Sequence, residues 1–474
     1  MKKLLSMLCL AVAATVHLAA QPVKITIEEA VTKALTTSKM LKASDAKVTQ
    51  ASASVSEADA SSLPSLTFSG NYTRLSGNPP VFAFDNAATV TQLLTLFNAL
   101  PGSPLTGQFN SGYIQNAGDV TRAASANAAP LFPVILDNYQ FRLTAQQVLY
   151  SGGRVDASKD MARHSTEAAK LDYANDKISL AYATRQAYWA MYRARELRKS
   201  LDETSKQLAA RVKDAELMLK AGMITTNDVL KLKVSLSNIN VQILDVDNQI
   251  RSAMVAMNNL LGLPLTTIIE LSTEPQYAAP AVTDVNMMIT NARSQRPDLL
   301  ANEERIKMAD AGITASKSGW FPTLAVQGNF LYANPNQRFI PNRPEFNYTW
   351  DLGVNLQWKI WDWQVTRYQT EQSEARYIQA VESSNALKDN VSVEVTQNYL
   401  SLSPAKERIT VSDESVSQAQ ENYTVVENKY KAGTATSTDV LEAETLLLQS
   451  KINKLTAIVD YELALAKLNR SLGK

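Results

Sequence analysis

The 474-residue chain reads as an internally duplicated α+β protein in which long antiparallel coiled-coil helices alternate with four short strands. Three observations predict this. Segments some two hundred residues apart match over long stretches without gaps, four runs alternate apolar and polar residues with period two, and the long helix-length runs almost lack glycine and proline.

The repeat is clearest where Lys220-Ala221-Gly222-Met223-Ile224-Thr225-Thr226-Asn227-Asp228-Val229-Leu230 matches Lys431-Ala432-Gly433-Thr434-Ala435-Thr436-Ser437-Thr438-Asp439-Val440-Leu441 at seven of eleven positions, an offset of 211. The same offset carries Gln186 and Tyr188 to Gln397 and Tyr399, and Asn258, Leu261 and Gly262 to Asn469, Leu472 and Gly473, so residues 149–263 align with 360–474. Leu63-Pro64-Ser65-Leu66 pairs with Phe321-Pro322-Thr323-Leu324 at 258, and Asn138-Tyr139 with Asn347-Tyr348 at 209. The fall from 258 to 209 leaves 49 extra residues in the first copy, within 76–137. The copies are thus 21–263 and 282–474, joined by a linker at 264–281, and each is far longer than a solenoid repeat.

In chain order, residues 1–20 have a basic start, an apolar middle and a small-residue end at Ala19-Ala20, the pattern of a secretory signal peptide. The one cysteine, Cys9, falls inside it, so the remaining chain has no thiol for a disulfide or a metal. A breaker-poor helix is expected over 23–63, then strands near 64–74 and 138–149 flanking an enlarged loop at 76–137. Residues 154–221 form a run of 68 without Gly or Pro, ~100 Å as helix, and 223–261 a second run. In the latter Leu232, Leu236, Ile239, Ile243, Val246 and Ile250 follow the 4-3 spacing of a coiled-coil seam, and Leu441, Thr445, Leu448, Ile452, Leu455 and Val459 repeat it. The second copy gives a helix at 282–318, strands near 322–332 and 347–360, and helices at 364–432 and 434–472, with Pro404 expected to kink or break the first of these two. Two shorter helices in series match one long one in length.

Charge adds little to the global picture, since 47 basic residues balance 46 acidic ones and offer no general attraction for nucleic acid. No later stretch approaches the ~20 apolar residues of a spanning helix. The strands point elsewhere. Each is about ten residues long, the length a tilted strand needs to cross a bilayer, and Trp320, Phe321, Phe330, Tyr332, Tyr348, Trp350, Trp358, Trp361 and Trp363 gather near strand ends as an interfacial girdle does. A small soluble sheet packed on helices is the ordinary alternative. Four strands cannot close a barrel, and open edges in lipid leave backbone groups unpaired, so copies of the chain must share one barrel. Two copies supply eight strands and three supply twelve.

The duplicated strand–helix plan, the two Ala-Gly-x-x-Thr-x-x-Asp-Val-Leu turns and the strand-opening Pro64 and Pro322 resemble the TolC family of outer-membrane efflux proteins, over essentially the whole chain beyond residue 20. The resemblance implies an α+β membrane protein that forms a homotrimer. It implies a twelve-stranded barrel in the outer membrane of a Gram-negative bacterium and an α-helical tunnel through the periplasm. The implied partners are outer-membrane lipid, a periplasmic adaptor (membrane fusion) protein and an inner-membrane transporter of the RND, ABC or MFS type. The activity is that of a passive efflux duct for drugs, toxic compounds or ions, without cofactor or metal. A duct for type I protein secretion is the first alternative, and a non-conducting trimeric coiled-coil scaffold is a second, from another class.

Gly222 and Gly433 sit where a long helix reverses into a short one, which by itself calls for a left-handed helix cap. The resemblance adds adaptor docking at Ala221, Gly222, Met223, Ala432, Gly433 and Thr434. Asp228 and Asp439 fall in first helical turns, where a carboxylate suits the helix dipole. Asp439 and Glu442 share a helical face, and by resemblance they line a periplasmic constriction ring that would favour cations and raise its own affinity for protons. Tyr430, Asp228 and Asn227 match the family's gate links, while the family's arginine at position 435 is Ala435 here. His164 reads as a solvated side chain, and Met254 and Met257 as core. No phosphate loop, His-Glu-x-x-His or nucleophile–histidine pair appears, so the chain is expected not to be an enzyme. N-terminal sequencing of the exported protein should begin at Gln21; a sequence starting at Met1 would remove the signal-peptide assignment.

Overall fold

The computed structural model describes residues 23–76, 135–277, 284–340 and 342–474. The expected cleavage site at Ala20 and nearly all of the loop at 76–137 lie outside the described residues. The chain divides into a mainly helical unit, comprising Ser158–Ile313, Glu371–Lys474 and the described part of Met1–Ser56, and a strand unit, Glu57–Ala157 with Thr314–Thr370.

Strand β1 (Val23–Ile25) leads through an N-cap at Thr26 into helices α1 (Ile27–Thr37) and α2 (Lys39–Ala60). Strands β2 (Ser65–Arg74) and β3 (Asp137–Tyr150) follow, then the long helix α3 (Arg154–Lys220) and its shorter companion α4 (Thr226–Leu260). The second half runs through β4 (Ile269–Leu271), α5 (Val285–Gln295), α6 (Pro297–Lys317), β5 (Thr323–Asn334), β6 (Asn347–Gln357), α7 (Val365–Lys431) and α8 (Ser437–Ser471).

Four expectations change. The helix anticipated over 23–63 is a strand followed by two helices parted at Ser38, whose extended ψ of 123° interrupts the helix. The one anticipated over 282–318 parts likewise at Arg296, ψ 122°, because the proline that follows excludes the helical conformation from the residue before it. Ser38 and Arg296 stand at the repeat offset of 258. The linker 264–281 also carries structure, since β4 pairs in parallel with β1, Ile25 opposite Leu271.

The third change concerns Pro404, which neither breaks nor ends α7. Its own side is solvent-exposed, whereas Leu402, Ala405 and Ile409 around it are buried against Ala457, Ile458, Tyr461 and Leu468 of α8. Packing on the inner side therefore holds the helix through a residue that removes one hydrogen bond on the outer side.

Heptad spacing organises the helical unit. Leu201, Leu208 and Ala215 of α3 recur every seven residues and meet Leu232, Ile239 and Val246 of α4, also seven apart, with Leu448 of α8 joining them. This is coiled-coil packing, and the seam positions Leu236, Ile243 and Ile250 border the same cluster, half-buried. A further core encloses Tyr188, Trp189, Met191, Met257 and Ile269, with Met254 packed beside it. Gly262 and Gly473 end α4 and α8 with φ of 63° and 80°. Each abuts one of the two helix breaks: a Cβ on Gly262 would meet Thr37 Cβ at 2.9 Å, and one on Gly473 would meet Arg296 Cα at 3.2 Å.

His164 is not simply solvated, because its Nδ1 lies 2.7 Å from Glu304 Oε2, linking α3 to α6.

Pro404→Ala should restore the missing hydrogen bond and raise stability by up to about 3 kcal/mol, read as a higher unfolding midpoint in detergent. A fall in the midpoint would mean that the ring contributes packing of its own.

Candidate functional site

The strand unit is built on one antiparallel sheet in the order β2-β3-β5-β6, so β2 and β6 each keep an edge unpaired. The register sorts side chains cleanly. One face carries Phe68, Leu143, Phe330 and Trp350 in a row across the four strands, with Leu66, Ala145, Gly328 and Leu352 in the next row and Gly70, Phe141, Tyr332 and Tyr348 on the other side. These large side chains are exposed, Trp350 to 71% and Leu352 to 72%. The opposite face is polar, with Thr67, Thr144, Asn329 and Asp351 in one row. Thr144 Oγ1 donates to Asn329 Oδ1 at 2.9 Å, and Asn329 Nδ2 donates to Asp351 Oδ1 at 2.8 Å.

An exposed apolar face of this extent is unusual for a protein surrounded by water. Aromatic side chains bound it at both ends. Tyr72 packs on Tyr139 at 4.9 Å and Tyr332 on Phe346 at 4.9 Å near the loop end. Trp320, Phe321, Trp358, Trp361 and Trp363 are exposed at the helix end. From Tyr348 to Trp358 the strand direction covers about 33 Å at ~3.3 Å per residue, which a ~40° tilt reduces to about 25 Å. That is the height of the apolar band of an outer-membrane barrel.

In the helical unit the two tips have the same construction. Past α3, Gly222 has φ 73° and Met223 N–H reaches back to the Met218 carbonyl at 2.9 Å; past α7, Gly433 has φ 73° and Thr434 N–H reaches the Lys429 carbonyl at 2.9 Å. This six-to-one bond closes each helix, and only glycine enters the left-handed conformation freely. Thr225 and Thr436 then cap the next helices in reciprocal boxes. Asp228 Oδ2 accepts from Thr225 N–H at 3.0 Å, and Asp439 Oδ2 accepts from Thr436 N–H at 2.8 Å. Ala221, Gly222, Met223, Ala432, Gly433 and Thr434 are all exposed there.

The tips touch each other through the helix starts. Ser437 Oγ donates to Asp228 Oδ1 at 3.0 Å, and Lys231 Nζ donates to Thr438 Oγ1 at 3.1 Å. Asp228 is thereby held below the usual carboxylate range, first by the Thr225 hydroxyl and backbone and then by Ser437. Asp439 is lowered too, by the backbone and hydroxyl of Thr436. Within one chain this is opposite to the raised proton affinity expected of a ring, because the capping box stabilises the charged form locally. Glu442 is exposed one turn on. Of the expected gate residues, Asp228 reaches Ser437 and not Tyr430, whose hydroxyl lies 3.9 Å from Met218 Sδ. Asn227 is exposed.

A polar cluster just above the tips escaped the sequence reading. Arg211 of α3 hydrogen-bonds through Nη2 to Tyr423 Oη and stands 3.5 Å from Glu427 Oε1, both on α7, with its guanidinium 5.2 Å over the Tyr423 ring. Facing them from α8 is Glu444, 4% exposed, and among the described residues neither of its oxygens nor Arg211 Nη1 has a hydrogen-bond partner. Burial raises the Glu444 carboxyl to about 7, Arg211 opposing and Glu427 reinforcing. A signal existed: Glu444 lies three residues after Leu441 and four before Leu448, within the apolar stripe.

A family model described as outer membrane efflux protein matches residues 114–263 and 288–474. Among curated proteins, the chain is 22% identical to the outer membrane protein TolC of Vibrio cholerae over 67% of its own length and 72% of that protein's. It is 23% identical to the pyoverdine export outer membrane protein OpmQ of Pseudomonas aeruginosa, over 71% and 69%. Among solved structures, a membrane protein from Pseudomonas aeruginosa superposes with a TM-score of 0.74 at 18% identity, covering 94% of this chain and 93% of that one.

A carboxyl whose folded pKa of about 7 exceeds the ordinary 4.5 contributes stability below pH 4.5 that is lost as pH rises through 7. Unfolding by guanidinium should therefore show wild-type stability falling between those values, by on the order of 3 kcal/mol per chain. Glu444→Gln should abolish that fall; an unchanged pH profile would show that Glu444 does not titrate there.

Proposed function

Because the chain belongs to the outer membrane efflux protein family, and so is a channel protein of the Gram-negative outer membrane and not an enzyme, we propose that three copies join their sheets into one twelve-stranded barrel and their helices into a periplasmic tunnel. The observation that carries this reading is the sheet: an apolar exposed face of bilayer height with both edges unpaired. Every unpaired backbone group left in lipid costs several kcal/mol, so β6 of one copy must pair with β2 of the next until the circle closes. Three chains give a bore wide enough to stay open, whereas eight strands leave an interior that side chains fill.

In this reading the protein is a passive duct for small molecules. The name of the pyoverdine export relative supports small-molecule efflux over protein secretion. The driving energy comes from an inner-membrane transporter, and a periplasmic adaptor docks on the tips formed by Ala221, Gly222, Met223, Ala432, Gly433 and Thr434. The exposed Asp439 and Glu442 line a constriction ring where the tips of three chains converge. The capping box fixes Asp439 as an anion, which suits a cation-attracting mouth. Asp228, Asn227 and Tyr430 hold the tips closed, with Ser437 taking part where the family's arginine is absent.

Purified protein should run as a trimer and conduct ions in planar bilayers, with cations preferred. Asp439→Ala combined with Glu442→Ala should lower the cation-to-anion permeability ratio and leave trimer mass unchanged. A trimer without conductance would favour a scaffold, and an unaltered ratio in the double variant would remove the ring assignment.

A further inference from the structure

The loop between β5 and β6 folds back over the sheet. Asn336, 2% exposed, donates through Nδ2 to the Asn347 carbonyl at 3.1 Å and to Thr349 Oγ1 at 3.3 Å. Two residues on, Arg338 Nη2 donates to Asp351 Oδ2 at 2.6 Å. Asn347, Thr349 and Asp351 alternate along β6 on its polar face. The loop therefore reaches back along that face as far as the fifth residue of the strand. Leu331 and Ala333, on the same face of β5, are 8% and 4% exposed.

Both oxygens of Asp351 are engaged, one by Asn329 and one by Arg338. Asn329 in turn accepts from Thr144 of β3 and from Gln327. A continuous hydrogen-bonded line thus crosses three strands and ends on the loop. It fixes the guanidinium over the polar face; an arginine left in solvent would sample many rotamers.

Charge is scarce on this surface. Among the described strand residues of the polar face, only Arg142 and Asp351 are charged, and Arg142 stands in the adjacent row opposite Leu331 and Thr349. With Arg338 the three sum to one positive charge per chain. Asp439 and Glu442, at the proposed ring on the tips, carry the opposite sign.

From this arrangement we infer that Arg338 is a selectivity-determining residue at the exit of the duct. The inference rests on the barrel reading, in which the polar face lines the lumen and the β5–β6 loop lies at the outer end, away from the helices. The loop narrows the bore, and three copies of Arg142, Arg338 and Asp351 leave three positive charges around it. Cations admitted at the acidic mouth meet a barrier here, whereas anionic solutes are drawn through. Asp351 is the positioning residue: it holds the loop down and compensates half of the arginine pair.

Single-channel recording under a salt gradient tests this on intact trimers. Arg338→Ala should raise conductance, by freeing the loop, and raise the cation-to-anion permeability ratio at least about fourfold, because a charge ~10 Å away across water changes the population of each ion about twofold and with opposite sign for cation and anion. Asp351→Asn should also raise conductance but shift the ratio toward anions. Arg338→Lys, which keeps the charge, should leave the ratio near the wild-type value; a loop acting only as a structural brace would not give this sign reversal. Wild-type protein that conducts while Arg338→Ala matches it in both conductance and ratio would overturn the inference and leave the channel intact. Wild-type trimers that do not conduct would instead overturn the barrel reading.

Discussion

Unpaired backbone at two sheet edges is the constraint on which the rest of this molecule depends. A four-stranded sheet with one side apolar and exposed is stable neither in water nor alone in lipid. In water the apolar face is the liability, and in lipid the edges are. Lipid removes the first cost, and the proposed pairing of β6 of one copy with β2 of the next removes the second. The repeat follows the same logic, since duplicating a hairpin and its helices doubles the strands that each chain brings to closure.

In each copy a 67-residue helix lies with a 35-residue one, and the shorter partner ends in a glycine set against a helix break. The breaks at Ser38 and Arg296 carry the chain from a short helix into the one adjoining the strands. Heptad contacts every seven residues keep the pairs in register, and packing carries α7 unbroken past Pro404.

Much of this was legible because periodicity reports which side of an element is buried. Alternation from Asn347 onward marked β6, and the 4-3 spacing from Leu232 to Ile250 marked the seam of α4. Asp228 and Asp439 were legible as first-turn carboxylates suited to the helix dipole, while the threonine three residues before each, the signature of a capping box, went unread. What escaped depends on partners distant in sequence. Arg211 gives no hint that Tyr423 and Glu427 await it, and Val23 none that it will pair with Ile269. The break at Ser38 was invisible because no proline follows it, whereas Pro297 explains the one at Arg296. The loop carrying Arg338 was unreadable for the same reason, its conformation being decided by Thr349 and Asp351 on the next strand.

The tip glycines have one more consequence. A Cβ built on Gly222 or Gly433 would meet nothing within 4 Å, in contrast to Gly152, where Phe321 and Ser318 stand closer than 3 Å. The tips are thus restricted by backbone conformation and not by space within the chain. Conformation and volume can therefore be separated genetically. Asparagine tolerates the left-handed region and adds bulk only toward solvent, so at these positions it reports what approaches from outside while the hairpin beneath stays as it is.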